Sequence, residues 1–146
     1  MRGFNLPSKR AKCFRLLLDH QIQIGVLTET WLNSNADHST PEYLIIKSPP
    51  ASHQGVAIAV RRSGFDLVRL VHQDFHTRHT VAVKLRTVRN EAGRSTDLIV
   101  IGHYAQPAVK QECLEELRFF CENIQRDEPG TQMIIAGDLN SIQSEA

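Results

Sequence analysis

An apolar run ends on polar side chains in the stretch Ile134-Ile135-Ala136-Gly137-Asp138-Leu139-Asn140. The run predicts a buried strand from Met133 to Ala136 that delivers Asp138 to its end, with Gly137 allowing a sharp turn. In an extended chain residues i and i+2 point to the same side, so Asp138 and Asn140 would face one small volume. There the acid can orient a metal or a water and the amide can bind a phosphate oxygen. An ordinary Asp/Asn turn after a strand fits the same residues.

A second apolar run, from Ile22 to Thr28, ends on Glu29. Apolar residues on both faces predict a strand buried between layers. Ligands collect at the ends of such strands, and Mg²⁺ needs only one or two protein carboxylates besides water and substrate phosphate. Glu29 is therefore a candidate metal ligand. The alternative, a solvated loop acid or an acceptor for a nearby N–H group, stays open.

Tyr104 follows a third predicted strand, Leu98 to His103. Its phenol can donate to a phosphate oxygen or, when ionised, act as a base; a half-buried aromatic with a solvated hydroxyl is the simpler alternative. His76, His79 and His103 are candidate ligands by residue type only, because their spacing matches no zinc pattern. A surface or hydrogen-bonded role is the alternative for each.

The remaining patterns predict two helices and a largely antiparallel set of strands. Apolar residues at helical spacing predict a helix from Ser8 to His20, with Ser8 as N-cap, and another from about Val109 to Arg126. Further strands are predicted at Tyr43–Lys47, Gly55–Arg61, Phe65–Val71 and Thr80–Thr87. The second and third of these form one predicted hairpin, and Thr80–Thr87 forms another with the strand that begins at Leu98. Helices on one face of a mostly antiparallel sheet give an α+β arrangement.

Composition indicates one soluble globular domain. The 146 residues are 41% hydrophobic and 23% charged, and the formal net charge of +1 does not by itself indicate a nucleic-acid binder. Basic residues are concentrated in the first fifteen positions: Arg2, Lys9, Arg10, Lys12 and Arg15. They are either a solvated helix face or a phosphate-binding patch.

The cysteines and the apolar runs bear on cellular location. Three cysteines without metal spacing predict reduced core thiols in an intracellular protein. No apolar run approaches the roughly 20 residues that span a bilayer, and the start lacks the apolar core of a secretory signal. We expect no membrane association.

Four segments in this order resemble the endonuclease/exonuclease/phosphatase family. They are the glutamate strand at 24–32, the glycine-led strand at 55–60, the tyrosine segment at 99–107 and the Gly-Asp-Leu-Asn segment at 134–140. The motif Glu29-Thr30-Trp31-Leu32 and the opening residues 2–9 are most similar to the sequences of endonuclease domains of non-LTR retrotransposons. The resemblance implies half of a four-layered α/β sandwich. It also implies DNA as the partner, and a nuclear location if the chain comes from a retroelement.

The resemblance also implies roles for individual residues. Glu29 would hold Mg²⁺, with Mn²⁺ as a substitute, and Tyr104 would contact the phosphate or act in acid–base chemistry. Asp138 would orient or deprotonate the attacking water or stabilise the leaving group, and Asn140 would hold the phosphate. The implied reaction is metal-assisted phosphodiester hydrolysis that nicks DNA.

Two family features have no counterpart here. The family's first-strand asparagine would precede Met1, and its Ser-Asp-His ending is missing, since all seven histidines precede Asp138. We therefore expect residues 1–146 to form a partial domain that lacks the first strand and the C-terminal half. We expect it to be inactive alone, with the missing half as its natural packing partner. The alternatives are a phosphoesterase acting on inositol phosphates or phospholipids, and a non-catalytic remnant that binds a partner.

Overall fold

Two helices and seven strands make up the part of the chain that the computed structural model describes, namely residues 4, 6–30, 32, 36–49 and 55–139. The elements are α1 (Pro7–Asp19), β1 (Ile24–Thr28), β2 (Tyr43–Lys47), β3 (Val56–Arg61), β4 (Phe65–Leu70), β5 (Thr80–Thr87), β6 (Asp97–Tyr104), α2 (Lys110–Asp127) and β7 (Gln132–Asp138). Short 3₁₀ turns lie at Arg62–Gly64, Gln73–Phe75 and Pro107–Val109. Both predicted helices are confirmed to within one residue at each end.

The strands form two sheets. Sheet A has the order β1-β3-β2 and is antiparallel throughout, and sheet B has the order β4-β5-β6-β7. In sheet B the β5–β6 hairpin is confirmed, and only β6 and β7 run parallel, joined by the crossover helix α2. The predicted α+β class with mostly antiparallel strands is correct.

Three apolar cores separate four layers. Helix α1 buries Cys13 and Leu17 against the outer face of sheet A. Helix α2 buries Leu117, Phe120 and Ile124 against the outer face of sheet B. The two inner faces meet in a core built from alternate residues of three strands: Val56, Ile58, Val60, Val81, Val83, Leu85, Val100 and Tyr104. The predicted half of a four-layered sandwich is this arrangement.

The predicted hairpin between residues 55–61 and 65–71 is wrong. Strand β3 pairs with β1 and β2, and β4 pairs with β5, so the chain passes from one sheet to the other at Arg62–Gly64. The physical reason is burial, since five consecutive residues of β3, 56–60, are all fully buried. A strand apolar on both faces needs a neighbour on each side, which places β3 in the centre of its sheet.

The predicted N-cap at Ser8 is also wrong. Helix α1 begins at Pro7 and its N-cap is Leu6, which offers no side-chain hydrogen bond. Proline suits the first helical position because its missing N–H would have no partner there and its φ is already helical. Ser8 therefore lies inside the first turn.

The three cysteines carry free thiols, as predicted. Cys13 and Cys113 are buried and Cys121 is partly buried, and burial raises the pKa of each thiol. Among the described residues, neither helix is both long and apolar enough to cross a bilayer.

Candidate active site at the shared end of the two sheets

Strand ends from both sheets meet at one end of the sandwich. In sheet B, Tyr104 and Asp138 are partners in the β6–β7 register and are the last residues of their strands. In sheet A, Glu29 follows the last residue of β1. The hydroxyl of Tyr104 donates to the Glu29 carboxylate, Oε1, at 3.4 Å. The contact joins two residues that the sequence predicts as separate site residues and that lie 75 positions apart.

Glu29 has a left-handed backbone with φ of +53°. An L-residue in this conformation is strained by about 1 kcal/mol, and glycine avoids that strain. The chain then returns to sheet A, where the N–H of Thr30 donates to the Gly55 carbonyl at 3.3 Å. The hydrogen bond of the next residue, Thr30, therefore holds Glu29 at the rim of the sheet.

Tyr104 is packed as part of the core between the sheets, with 6% of its surface exposed. Its backbone N–H donates to the His79 carbonyl at 2.8 Å, and the next N–H, of Ala105, donates to the Asp138 carbonyl at 2.8 Å. These bonds tie Tyr104 to both neighbouring chain segments. The ring is thereby fixed, and its O–H points towards the opposite sheet.

Asp138 borders an open groove between β1 and β7. The groove has a volume of about 510 Å³, and its lining comes mainly from those two strands: Ile24, Val26, Thr28, Val100, Ile134, Ala136, Gly137 and Asp138. Apolar side chains form most of the wall, while Thr28 and Asp138 place polar groups at the end where Glu29 lies. Asn140 and Trp31 lie outside the described residues.

Gly137 has a different role from the predicted turn. It lies inside β7, with φ of +133°. A Cβ at this position would lie 2.0 Å from the carbonyl oxygen of His103, the register partner of Gly137. Glycine is needed because β6 and β7 approach closely one residue before Tyr104 and Asp138, and the chain stays extended through Asp138.

The three candidate histidines have hydrogen-bonded roles away from Glu29. His103 is fully buried, and its Nδ1 lies 2.8 Å from the Thr80 hydroxyl. Burial lowers the pKa of His103 to about 4. His79 Nδ1 lies 3.5 Å from the Glu116 carboxylate, and His76 Nε2 lies 2.9 Å from the Val71 carbonyl oxygen.

The donor set at the site suits a hard divalent cation. Glu29 and Asp138 bring carboxylate oxygens from the two sheets, and Mg²⁺ binds through one or two carboxylates with water and substrate oxygens completing the shell. Within the described parts of the chain, no group of three or more His, Cys, Asp and Glu side chains is placed to hold a metal. The residues therefore fit an ion held in large part by substrate and water, and they do not fit a fully protein-ligated zinc site.

The same arrangement of layers occurs in solved structures. The endonuclease domain of TRAS1, a telomere-specific non-LTR retrotransposon, matches 92% of this chain with a TM-score of 0.64 and 18% identity. The catalytic domain of Xenopus laevis APE2 matches 88% with a TM-score of 0.62 and 19% identity. The chain has the endonuclease/exonuclease/phosphatase fold. The human Nocturnin catalytic domain has the same fold and matches 94% of this chain, with a TM-score of 0.58 and 21% identity.

The chain spans about half the length of these structures with the endonuclease/exonuclease/phosphatase fold. It covers 54% of the TRAS1 domain, 53% of the APE2 domain and 59% of the Nocturnin domain. By sequence, no protein-family profile and no curated protein matches it. The resemblance predicted from four short segments is confirmed at the level of the fold.

Two features of the site have no signal in the sequence. Glu29 has a left-handed conformation although it is neither glycine nor asparagine, the residues that usually mark it. The groove between β1 and β7 forms because two sheets face each other, and residue spacing within either sheet does not show that.

Proposed function

We propose that this chain supplies part of the active site of a divalent-metal-dependent phosphodiesterase that nicks DNA. The observation that carries the proposal is the 3.4 Å contact between the Tyr104 hydroxyl and the Glu29 carboxylate across the two sheets, with Asp138 paired to Tyr104 in register. An acid, a phenol and a second acid from three strand ends then face one site. Support for a nucleic-acid substrate comes from the solved structures of the same fold, which include an endonuclease domain.

Each residue has a chemical task in this proposal. Glu29 holds Mg²⁺ or Mn²⁺, which supplies positive charge to a phosphate oxygen when it is bound. Tyr104 donates its one O–H hydrogen bond to a second phosphate oxygen in place of the Glu29 carboxylate, which turns to the metal. Asp138 accepts the proton of the attacking water or stabilises the leaving oxygen. Asn140 keeps its sequence-based assignment as a phosphate-binding amide.

Catalysis in this proposal needs residues from a second half of the domain. The chain matches only about half of each solved structure, and in β7 both Ile134 and Ile135 are 44% exposed. An exposed strand edge with apolar side chains is a surface that another segment can cover. We infer that the missing half of the domain packs there, and that the 146-residue chain alone binds metal but does not nick DNA.

Metal binding tests the Glu29 assignment directly. Electron paramagnetic resonance of Mn²⁺ should show binding to the 146-residue chain. Affinity should fall by at least about tenfold in Glu29→Gln, because the neutral amide removes the charged ligand. Glu42→Gln is the matched control, since Glu42 is exposed and precedes β2 at the opposite end of sheet A. Equal affinity in Glu29→Gln and Glu42→Gln would contradict the assignment.

Plasmid nicking tests the reaction. A longer chain that includes the second half of the domain should nick supercoiled plasmid with Mg²⁺. Asp138→Asn should lower the rate by about a hundredfold or more, as expected for loss of an acid–base group. Nicking that persists after chelation of divalent metal would rule the proposal out.

A further inference from the structure

Three basic side chains from separate segments meet beside α1 and β2. They are Arg10 in α1, His38 in the segment before β2, and Lys47 at the end of β2, and we call them the basic cluster. The Lys47 ammonium lies 3.2 Å from Nδ1 of His38 and donates to the Ala36 carbonyl. Arg10 donates to the Phe4 carbonyl at 3.3 Å. All three side chains remain partly accessible to solvent.

The charges in the basic cluster repel one another. Burial is the main cause that lowers the pKa of His38, and the neighbouring Lys47 and Arg10 lower it further. Burial also lowers the pKa of Lys47, and Arg10 adds to that effect while Asp37 opposes it. Asp37 is an acidic neighbour of both His38 and Lys47. An anion between these groups would favour the charged forms of both His38 and Lys47.

The basic cluster lies at the same end of sheet A as Glu29. Thr28 pairs with Val56 and Lys47 pairs with Ala57, so β1 and β2 end side by side with β3 between them. Two strand spacings separate them, which is about 10 Å. Arg10 is close enough to His38 and Lys47 to lower the pKa of both, so it lies at the Glu29 end as well.

Further positive potential surrounds the cluster. Lys9 and Lys12 are exposed on the same helix, whose first turn contains no acidic residue. The start of a helix also carries a partial positive charge. The sequence alone favours a solvated helix face over a phosphate-binding patch for these residues. The positions of His38 and Lys47 favour the second, because they bring two more basic groups to the helix from outside it.

We propose that the basic cluster binds backbone phosphates of the nucleic-acid strand whose scissile phosphodiester lies at Glu29 and Tyr104. The inference rests on the proposed function, since it assigns the cluster to the same substrate. A strand that crosses the end of sheet A from β1 to β2 brings its phosphates over the cluster. The charged neighbours of His38 are Lys47, Arg10 and Asp37. Contact with phosphate also favours protonation of His38, so binding should strengthen as the pH falls.

DNA affinity of the 146-residue chain tests the proposal. Fluorescence anisotropy with a short fluorescein-labelled DNA duplex, in the absence of divalent metal, gives affinity at several salt concentrations. Lys47→Gln should weaken binding and reduce the slope of log affinity against log salt by about one, as expected for one lost phosphate contact. Lys47→Arg should restore both. His38→Gln should remove the gain in affinity between about pH 7.5 and about pH 6.

The matched control is Arg89→Gln. Arg89 is exposed in the turn between β5 and β6, at the end of sheet B opposite Tyr104. If Lys47→Gln and Arg89→Gln change affinity and salt slope equally, or if the chain does not bind DNA, the proposal is overturned.

Measuring Mn²⁺ binding in parallel separates the two proposals. Loss of DNA affinity in Lys47→Gln with Mn²⁺ binding intact supports the cluster. A wild-type chain that binds DNA but not Mn²⁺ overturns the proposed function alone.

Discussion

At the scale of single residues, Glu29 combines a strained backbone with a proposed chemical role. Its φ of +53° is unfavourable for a side chain, yet its carboxylate reaches Tyr104 across the groove. Strained residues of this kind persist where the surrounding structure holds them, and they occur often at functional sites. The conformation directs the Glu29 side chain towards sheet B as β1 ends.

Replacing Glu29 should separate stability from metal binding. Both Glu29→Gly and Glu29→Gln lose the charged ligand, but only glycine accepts the left-handed conformation without strain. We expect Glu29→Gly to exceed Glu29→Gln in free energy of unfolding by about 1 kcal/mol, measured by urea denaturation. Neither should bind Mn²⁺ as the wild type does.

Gln21→Gly is the control for this comparison. Gln21 has a φ of +52° in the turn between α1 and β1, at the other end of the strand from Glu29. It should gain stability and keep Mn²⁺ binding. A Glu29→Gly protein less stable than Glu29→Gln would show that the backbone conformation is not the source of strain.

Residue type and position in the sequence predict the candidate site in part. Glu29, Tyr104 and Asp138 are each recognisable as polar groups at the ends of apolar runs, and the structure places the first two in contact. His103 has no such signal. Burial sets the pKa of His103. That burial depends on how α2 packs on the sheet, which the residues next to His103 in the sequence do not show.

At the scale of elements, the pairing of β6 with β7 positions the site in sheet B. The two strands are in register from Leu98 with Gln132 to Tyr104 with Asp138. The Ala105 N–H extends this pairing by donating to Asp138. Any change that separates the strands near their ends moves Asp138 relative to Tyr104.

Gly137→Ala should disrupt that pairing. The new methyl group would lie 2.0 Å from the His103 carbonyl oxygen, so the strands must separate. We expect a loss of at least about 2 kcal/mol in free energy of unfolding, from steric overlap added to backbone strain. Urea denaturation followed by circular dichroism measures it.

Gly130→Ala provides the comparison for Gly137→Ala. Gly130 also has a positive φ, +81°, but nothing lies within 4 Å of a Cβ built there. Its loss should be limited to backbone strain, about 1 kcal/mol. Equal losses at the two glycines would mean that the close approach of β6 and β7 does not matter.

Prediction of the elements succeeds where one strand or helix carries its own pattern. Helix α2 and the β5–β6 hairpin are recognisable from local spacing and a turn. The partner of β3 is not, because Ser63-Gly64 looks the same whether it closes a hairpin or carries the chain into the other sheet. Only the packing of the whole sandwich decides between them.

At the scale of the whole molecule, stability should fall in mild acid. Burial lowers the pKa of His103 from 6.5 to about 4. As the pH falls below 6.5, the unfolded chain takes up a proton that the folded chain resists. The folded state therefore keeps this contribution above pH 6.5 and loses it towards pH 4, by on the order of 3 kcal/mol. Burial also lowers the pKa of His76, which acts in the same direction.

His103→Gln isolates that contribution. The variant should lose less free energy of unfolding than the wild type over the same pH range, since glutamine does not titrate. Urea denaturation at a series of pH values, each referred to the same protein at about pH 8, makes the comparison independent of any fixed destabilisation. A variant as acid-sensitive as the wild type would show that other groups dominate.

The arrangement of layers is the feature that local patterns predict least and the family resemblance predicts best. Helical and strand periodicities give the elements, but they do not state that two sheets face each other. The order of four short motifs implied the sandwich, and solved structures of the same fold confirm it. The contact between Glu29 and Tyr104 follows from that arrangement.

Among the residues that the structure describes, the chain passes between the sheets once, at Arg62–Gly64, and this has a mechanical consequence. Arg61 pairs with Tyr43 and Phe65 pairs with Thr87, so the passage lies at the end of the sandwich opposite Glu29 and Tyr104. The two sheets are therefore joined at one end of the sandwich, and Glu29 and Tyr104 lie at the other end. Over a six-residue strand of about 20 Å, a rotation of about 5° at Arg62–Gly64 would move the Glu29 end of one sheet by about 2 Å relative to the Tyr104 end of the other. Side chains in the inter-sheet core set the distance between the two sheets. Removing a methyl group from that core, even far from Glu29, can therefore change the separation of Glu29 and Tyr104.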